Sequence, residues 1–297
     1  MKLLAVVNPI SGGVDKNPFI KKAVTLCENY GLDLKIFKTT GQDDEAHLKA
    51  ELKTFNPDKV VSVGGDGTTL FTAKALLNTN ICMGIIPLGS ANGMAVELGV
   101  SEDPLQAFKD IIMSNIITDL DLVCVNKEHY SIHIGDVGIN ANIVEGYDKD
   151  TSRGMTTYIK HFIEALNKVD PFQVNIACNQ KVYHKKVVML GLCNGRKYGT
   201  GVPLNKEGNP MDGRFEIVLI EKINANLLIK AGLSSINEAF IDNENNTVIS
   251  TSHAKITFNE PRLLQLDGEV IGTFKTLDVS LLKGAVKFIT TQQNVYV

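Results

Sequence analysis

The stretch VSVGGDGTTL, residues 61–70, places three glycines and one acidic residue between an apolar run and a helix-like segment. A glycine-rich turn from a buried strand into a helix presents backbone N–H groups and the positive end of the helix dipole to an anion. Gly64, Gly65 and Gly67 allow close approach of a phosphate, because glycine has no Cβ. Asp66 would repel that phosphate unless a cation lay between them, which predicts Mg²⁺ bound with a nucleotide. The alternative is a plain turn, with Asp66 as a charge at a helix N-terminus.

Two further turns have the same strand, turn and glycine pattern. One lies in VVNPISGG, residues 6–13, where Asn8 and Ser11 can hydrogen-bond a nucleotide. The other lies in IIPLGSANGMA, residues 85–95, and it puts Gly89, Ser90 and Asn92 at the start of another helix. Ligands of parallel sheets bind beyond the carboxyl ends of the strands. Three such turns therefore predict a nucleotide site, although the Walker sequence G-x-x-x-x-G-K-[ST] is absent from the chain.

The distribution of strand and helix patterns predicts two domains. Residues 1–122 alternate short β-branched runs with helical patterns, which indicates βαβ units and a mostly parallel sheet in an α/β domain. Residues 123–282 contain consecutive strand patterns separated by turn residues, which indicates an antiparallel β-sandwich. Longer helical patterns in this second part occur only near 153–168 and 224–241.

Composition excludes several classes of protein. The formal net charge of the 297 residues is -3 and no basic stripe is present, so nothing favours nucleic-acid binding. The five cysteines are scattered and never in C-x-x-C spacing, which argues against a disulfide framework or a zinc site. No apolar run approaches the roughly 20 residues of a membrane span. We therefore expect a cytoplasmic protein whose membrane contact, if any, is peripheral.

Three motifs in this order resemble those of the diacylglycerol kinase catalytic-domain family, which includes bacterial soluble lipid kinases and sphingosine kinases. They are NP-x-SG at 8–12, GGDGT at 64–68 and PLG-[ST]-x-N at 87–92. The similarity continues through DLDLVCVN at 119–126 and QLDGEV at 265–270. The resemblance implies a two-domain kinase, with ATP in an inter-domain cleft and lipid bound by the β-sandwich domain. It also implies that a C-terminal segment, here 283–297, packs back on the first domain.

The resemblance also implies roles for individual residues. Glu269 matches the catalytic base, and its carboxylate can take a proton from a lipid hydroxyl as phosphoryl transfer proceeds. Asp66 would help to hold Mg²⁺, and Asp121 would support the active-site network or simply cap a strand end. A structural Mg²⁺ would take the side chain of Asp212 and backbone carbonyls near Asn209 and Arg214. The expected nucleotide-binding residues are Asn8, Pro9, Ser11, Gly12, Thr40, Gly64, Gly65, Asp66, Gly67, Thr68, Thr69, Leu70, Ser90 and Asn92.

The chain departs from the family pattern at several positions. Bacterial members usually have an aspartate where Gly93 follows the third motif, and an acid where Met211 precedes Asp212. Leu70-Phe71 replaces a polar Asn-Glu pair, and Gly13 stands where a basic residue is common. These changes bear on substrate choice, metal binding and catalytic strength, and they leave the nucleotide turns in place.

The sequence favours a lipid kinase that depends on ATP and Mg²⁺ and acts on diacylglycerol, another glycerolipid or a sphingoid base. Two alternatives remain open: an NAD kinase, which shares the first two motifs, and a catalytically weak nucleotide-binding sensor of the same fold. A lipid acceptor implies peripheral membrane contact, and an edge strand of the β-rich domain would allow a homodimer. The helical segment 156–169 could contact lipid, although an ordinary packed helix is the simpler interpretation of its spacing.

Overall fold

This computed structural model describes residues 1–138, 170–198, 202–221 and 246–297. The helical patterns expected at 153–168 and 224–241 lie outside those residues, and so does the segment 156–169. In the described parts of the chain, no helix is both long enough and apolar enough to cross a membrane.

The chain divides into two compact units. The first contains Met1–Asp121 together with Lys283–Val297, and the second contains Leu122–Leu282. The division lies next to the boundary that the change of sequence pattern near residue 122 indicates. The C-terminal residues belong to the first unit, although they follow the second unit in the sequence.

The first unit is built on a parallel sheet. Its strands are β1 (Lys2–Val7), β2 (Asp33–Lys38), β3 (Lys59–Gly64) and β4 (Cys82–Pro87). The order across the sheet is β4, β3, β1, β2, with every pair parallel. The carboxyl ends of all four strands therefore lie at one edge, and the turns that follow them gather there. The parallel sheet predicted from the alternating patterns is confirmed.

Five α-helices and one 3-10 helix, Ser11–Gly13, accompany this sheet. The α-helices are α1 (Asn17–Tyr30), α2 (Asp44–Phe55), α3 (Asp66–Ala75), α4 (Gly93–Glu97) and α5 (Pro104–Met113). On α1, Phe19, Ala23 and Cys27 recur at intervals of one helical turn and form the buried face. The ring of Phe19 packs edge-on against Phe108 of α5, with 5.8 Å between the ring centroids. Apolar side chains at helical spacing thus pack α1 and α5 into the core, as the 3.6-residue period predicts.

The described residues of the second unit form mainly antiparallel strands. The strands from β5 onward are β5 (Ile116–Val125), β6 (His129–Ser131), β7 (Ile134–Val137), β8 (Phe172–Cys178), β9 (Lys181–Val187), β10 (Met189–Cys193), β11 (Lys197–Tyr198), β12 (Val202–Pro203), β13 (Phe215–Ile220), β14 (Asn246–Thr251), β15 (His253–Leu266) and β16 (Glu269–Thr290). One path of paired strands runs β14, β13, β10, β7, β15, β16, and β15 also pairs with β8, which pairs with β9. Both β5 and β16 begin in one unit and end in the other.

Strand β15 changes partners along its length. Its first half pairs with β8 through Lys255–Phe258, and its last residues, Leu264–Leu266, pair with β7. Its register with β16 shifts between Thr257 and Arg262, a stretch that contains Pro261, which has no N–H to donate to a ladder. On either side of this irregularity, β15 pairs with a different strand, β8 before it and β7 after it.

The core of the second unit follows a two-residue period. Along β8 the side chains of Phe172, Val174, Ile176 and Cys178 are buried, and the residues between them are exposed. Phe172 packs against Phe258 of β15, with 5.9 Å between ring centroids. Alternation of this kind is typical of antiparallel sheets with one face in the core. It confirms the antiparallel β-sandwich expected for the second part of the chain.

Candidate functional site

Three glycine turns meet at the carboxyl edge of the parallel sheet. A Cβ atom added to Gly89, after β4, would lie 2.2 Å from the Cα of Gly65, after β3. A Cβ added to Gly12, after β1, would lie 2.7 Å from the carbonyl carbon of Gly89, and Gly12 has a φ of +62°. No side chain fits at these backbone contacts. The motifs that the sequence shows far apart therefore form one continuous backbone surface.

Helix α3 begins on this surface without a cap. Its N-cap residue is Gly65, and no side chain bonds to the first turn. The backbone N–H of Thr69 is the first to find an intrahelical partner, the carbonyl of Gly65 at 3.0 Å. In the described parts of the chain, no acceptor is found for the N–H groups of Asp66, Gly67 and Thr68. Unsatisfied donors at the positive end of a ten-residue helix favour an anion.

The hydroxyl of Thr68 adds a further donor at this point. Thr68 is 4% exposed, and its Oγ1 has no hydrogen-bond partner in the described structure. A Cβ on Gly64 would lie 2.3 Å from this Oγ1 and 3.1 Å from the Oγ of Ser11, so both hydroxyls approach the space above Gly64. Leaving a buried hydroxyl unpaired costs about 1–3 kcal/mol. A ligand oxygen that accepts from Thr68 would remove that cost.

Asp66 has a structural role that the sequence did not reveal. Its Oδ2 accepts a hydrogen bond from the N–H of Gly93 at 2.8 Å, and its Oδ1 accepts one from Met94 at 2.9 Å. These are the first two residues of α4, so the carboxylate caps that helix. A carboxylate can accept about four hydrogen bonds, so Asp66 keeps capacity for a cation. The aspartate connects the second glycine turn to the third.

The two asparagines of the motifs shape their own turns. Asn92 has a φ of 53°, accepts the N–H of Gly89 at 2.8 Å and donates to the carbonyl of Gly89 at 3.0 Å. Asn8 accepts the N–H of Ile10 at 3.2 Å, and its carbonyl accepts the hydroxyl of Ser11 at 3.2 Å. Both side chains hold loop geometry, and nucleotide contact by Asn8 and Asn92 stays a prediction.

Lys16 is a residue at this edge that sequence reasoning missed. It is 3% exposed, and its ammonium donates to the carbonyls of Ser11 and Val14, the latter at 2.8 Å. Burial lowers the pKa of Lys16, and the negative charge of Asp15 opposes that shift. A buried ammonium therefore supports the first turn. The available sequence signal was a lysine shortly after a double glycine, which is common in ordinary loops.

The remaining predicted nucleotide residues occupy the same edge with different exposure. Thr40 follows β2, and its N–H donates to both carboxylate oxygens of Asp44, at 2.9 and 3.0 Å. Thr69 is buried and bonds to the carbonyl of Gly65 at 3.1 Å, so its hydroxyl is used inside the unit. Pro9, Gly67 and Ser90 are exposed, and Leu70 is half-buried.

Asp121 lies within β5, away from the ends of that strand, and is 1% exposed. Its Oδ1 accepts the N–H of Gly284 at 2.6 Å. The carboxylate therefore fastens the returning C-terminal strand inside the first unit, which differs from a simple strand-end cap. A contribution of Asp121 to catalysis stays a prediction.

The LDGE motif forms a tight hairpin turn in the second unit. Leu266 of β15 pairs with Glu269 of β16, and the two residues between them, Asp267 and Gly268, have φ values of 50° and 93°. Two left-handed residues in succession are typical of a two-residue hairpin, for which Asp-Gly is a preferred sequence. The turn presents Glu269 as the first residue of β16, with an exposed side chain. No described residue forms a hydrogen bond or ion pair with its carboxylate.

Asp267 anchors this hairpin. Its carboxylate accepts the hydroxyl of Ser131 at 2.8 Å and the N–H of Ile132 at 2.8 Å. It also accepts the N–H groups of His133 and Ile134, both at 3.0 Å. A carboxylate that accepts several hydrogen bonds from backbone N–H groups strongly stabilises the local structure, because such charge-assisted bonds are stronger than neutral ones. Sequence reasoning treated Asp267 only as part of a motif, because the donors lie far away in the chain.

The loop predicted to hold a structural metal contains no ready ligand cluster. The Oδ1 of Asp212 accepts the N–H of Arg214 at 2.9 Å, and the carbonyl of Asn209 accepts the N–H of Asp212 at 3.4 Å. Among the described residues, no group of three or more His, Cys, Asp or Glu side chains could hold a metal ion. The structural Mg²⁺ at Asp212, Asn209 and Arg214 therefore stays a prediction from the resemblance alone.

Glu216 is a buried acid close to that loop. Its two carboxylate oxygens accept from the Nδ2 of Asn205 and the Oγ of Ser250, each at 2.8 Å. Burial raises the pKa of Glu216, as do the charges of Asp212 and Glu207, and the two hydrogen bonds oppose the shift. The net effect is a pKa above its ordinary value of 4.5. No motif in the sequence indicated this group.

Comparison with known families gives two matches that together span nearly the whole chain. A model described as a diacylglycerol kinase catalytic domain matches residues 2–125. A second model, described as a YegS C-terminal NAD kinase beta sandwich-like domain, matches residues 135–290.

Relatives and solved structures agree with these matches. A Bacillus subtilis protein named diacylglycerol kinase is 23% identical over 90% of this chain and 89% of its own length. A Klebsiella pneumoniae protein named "Probable lipid kinase YegS-like" is 27% identical over 94% of this chain and 93% of its own. A crystal structure of a diacylglycerol kinase from Bacillus anthracis aligns with a TM-score of 0.74 at 20% identity, covering 99% of this chain and 98% of that one. At this identity, the structural likeness shows the fold.

Gly89→Ala should destabilise the first unit, because the new Cβ would collide with the backbone of Gly65 and force the turns apart. Overpacking of this kind costs about 1–3 kcal/mol. Urea denaturation would measure the free energy of unfolding. Gly67→Ala is the matched control, since a Cβ there meets nothing within 4 Å. Equal stability of the two variants would contradict the backbone contact.

Glu216→Gln should change how stability depends on pH. Folding raises the pKa of Glu216, so the folded protein keeps this carboxyl protonated at pH values where the unfolded chain has already lost the proton. The stability that results is fully present below pH 4.5 and is lost as the pH rises through the raised pKa of the folded state. The wild-type protein should therefore lose stability relative to Glu216→Gln over that rise. Glutamine can still accept from Asn205 and can donate to Ser250.

Thermal denaturation of both proteins across this pH range is the measurement, with exposed Glu128→Gln as the control. Parallel pH curves for the wild-type protein and Glu216→Gln would show that the buried carboxyl does not titrate differently in the folded state.

Proposed function

We propose that this chain, which belongs to the diacylglycerol kinase catalytic-domain family with a YegS-type C-terminal domain, is a lipid kinase that transfers the γ-phosphate of ATP to a lipid hydroxyl. The two family matches confirm the resemblance that the sequence motifs indicate, and they support kinase activity. The single observation that carries the finer proposal is the uncapped N-terminus of α3, beside the buried, unpartnered hydroxyl of Thr68.

The first unit provides donors suited to a triphosphate. Three backbone N–H groups of α3 and the hydroxyl of Thr68 lie beside glycine turns that allow close approach. Charge-assisted hydrogen bonds from such donors to phosphate oxygens are about twice as strong as neutral ones. Lys16 contributes positive charge beneath the first turn. These features support ATP as the nucleotide substrate.

Asp66 is the residue that would hold Mg²⁺ with the phosphates. Magnesium in kinases is bound by one or two carboxylates, substrate phosphates and water, so a large cluster of acids is not required. When bound, the ion would neutralise negative charge that develops on the phosphate oxygens. The two hydrogen bonds from α4 fix the orientation of the Asp66 carboxylate and leave lone pairs for this ligand.

Glu269 is the proposed general base. As the lipid oxygen forms its bond to the γ-phosphorus, the bond from that phosphorus to the ADP oxygen breaks, and the hydroxyl proton passes to the Glu269 carboxylate. The exposed side chain stands on a hairpin that Asp267 fastens through four hydrogen bonds. An anchored backbone with an uncommitted carboxylate suits a group that must meet a substrate proton.

Diacylglycerol is the first acceptor to test, because relatives that align over most of this chain bear that name. A sphingoid base presents a hydroxyl of similar chemistry and is the second. Either acceptor resides in a membrane, so the proposal includes peripheral contact with a lipid surface during turnover.

Glu269→Gln should lower kcat by about 10²- to 10⁴-fold, because the amide cannot accept the hydroxyl proton. ATP affinity should stay unchanged. The measurement is transfer of labelled γ-phosphate, with Mg²⁺, to diacylglycerol, sphingosine and NAD presented separately. Glu128→Gln, an exposed acid of the same unit, is the matched control. Label on NAD would replace the proposal with an NAD kinase, and bound ATP without transfer would replace it with a nucleotide sensor.

Thr68→Val should weaken ATP binding by roughly tenfold or more, because a hydrogen bond to a charged oxygen contributes about 1.5–3 kcal/mol. Valine keeps the shape of the side chain and removes only the hydroxyl. Isothermal titration calorimetry would give the dissociation constant. Thr54→Val is the control, since the hydroxyl of Thr54 donates to the carbonyl of Ala50 within α2, away from the glycine turns. Unchanged affinity in Thr68→Val would remove this hydroxyl from the nucleotide site.

A further inference from the structure

The last residues of the chain pack against the segment that contains α4. Asn294 is 1% exposed, so the terminal segment is buried in the first unit at this residue. A Cβ on Gly99, two residues after α4, would lie 2.6 Å from the carbonyl oxygen of Gln293. The Oδ1 of Asn294 accepts the N–H of Tyr296 at 3.0 Å and shapes the terminal turn. This turn directs Tyr296 toward α4.

Tyr296 forms a hydrogen bond with a buried acid. Its hydroxyl donates to the carboxylate of Glu97, the last residue of α4. Glu97 is 3% exposed, so water cannot readily replace the hydroxyl if it is lost. Removing one partner of a buried, charged hydrogen bond is costly, because the other partner has already lost its hydration. The contact therefore constrains where α4 can lie.

Helix α4 depends on contacts at both ends. It has five residues, and a helix of that length is far below the roughly 12 residues needed for marginal stability alone. Its first two N–H groups bond to Asp66, and its last residue bonds to Tyr296. The turn that precedes α4 contains Gly89, which contacts Gly65. A shift of α4 would therefore move the third glycine turn and the Asp66 carboxylate together.

We propose that Tyr296 is a positioning residue for the nucleotide. Through Glu97 and α4 it fixes the third glycine turn and the orientation of Asp66, so that the C-terminus of the chain sets the affinity for ATP. This inference rests on the proposed nucleotide site of the first unit. Tyr296 itself takes no part in the chemical step.

The test compares Tyr296→Phe, Glu97→Leu and the double variant with the wild-type protein. Tyr30→Phe is the matched control, because that tyrosine is 63% exposed at the end of α1. Three quantities are measured: the dissociation constant of ATP by calorimetry, the hydrogen exchange of the Gly93 and Met94 amides, and the melting temperature. Steady-state kinetics with saturating lipid adds KM for ATP and kcat.

Tyr296→Phe should raise the dissociation constant and the KM for ATP about 3- to 10-fold, as expected for loss of one hydrogen bond. The kcat at saturating ATP should change less than about twofold, since the group acts on binding. Exchange of the Gly93 and Met94 amides should accelerate. The double variant should bind ATP no more weakly than Glu97→Leu, because both substitutions break the same contact.

A lower melting temperature with unchanged ATP affinity would overturn the proposal and leave Tyr296 a purely structural residue. Additive effects in the double variant would also overturn it, because they would show that Tyr296 does not act through Glu97. If the wild-type protein fails to bind ATP, the proposed function fails. Amide exchange then still tests whether Tyr296 positions α4. Unchanged exchange in Tyr296→Phe would then overturn the positioning of α4, and faster exchange would support it.

Discussion

The backbone contact among three glycine turns is the constraint on which the first unit depends. Gly12, Gly65 and Gly89 approach so closely that a Cβ on Gly12 or Gly89 would overlap a neighbour. Each glycine follows a different strand of one parallel sheet, and parallel pairing brings those strand ends to the same edge. The uncapped start of α3 and the hydroxyl of Thr68 can face one ligand only because the turns meet there. Tight backbone packing thus creates the surface on which we propose that an anion binds.

The presence of an acid, Asp66, at the proposed anion site has a physical explanation in this fold. Asp66 begins α3, yet its carboxylate satisfies the first two N–H groups of α4, where a negative charge is favourable. The carboxylate therefore stabilises the N-terminus of α4, while the first N–H groups of its own helix have no acceptor among the described residues. This arrangement explains how a short helix with Gly93 at its start is held, and it links the second and third motifs through one side chain.

In the second unit, two nearby acids of the LDGE motif have opposite surroundings. Asp267 is surrounded by donors from 131–134 and fastens the hairpin, whereas Glu269 is exposed and contacts no described polar group. Asp267 lies in the two-residue turn and Glu269 is the first residue of the following strand, so the turn places the two carboxylates differently. Their environments, more than their chemical type, separate the anchoring role of Asp267 from the reactive role proposed for Glu269.

The sequence by itself determined the two-part architecture and the three glycine turns, because periodicity and turn chemistry are properties of contiguous residues. Only the tertiary structure decided which side chains bond across the chain. Hydrogen bonds join Asp66 to Gly93, Ser131 to Asp267 and Tyr296 to Glu97. The partners are separated in sequence by 27, 136 and 199 positions, respectively. No local pattern encodes such partners, since they depend on how packed elements bring distant donors and acceptors into hydrogen-bond range. The same packing buries Lys16 and Glu216, whose altered pKa values arise from desolvation that composition cannot show.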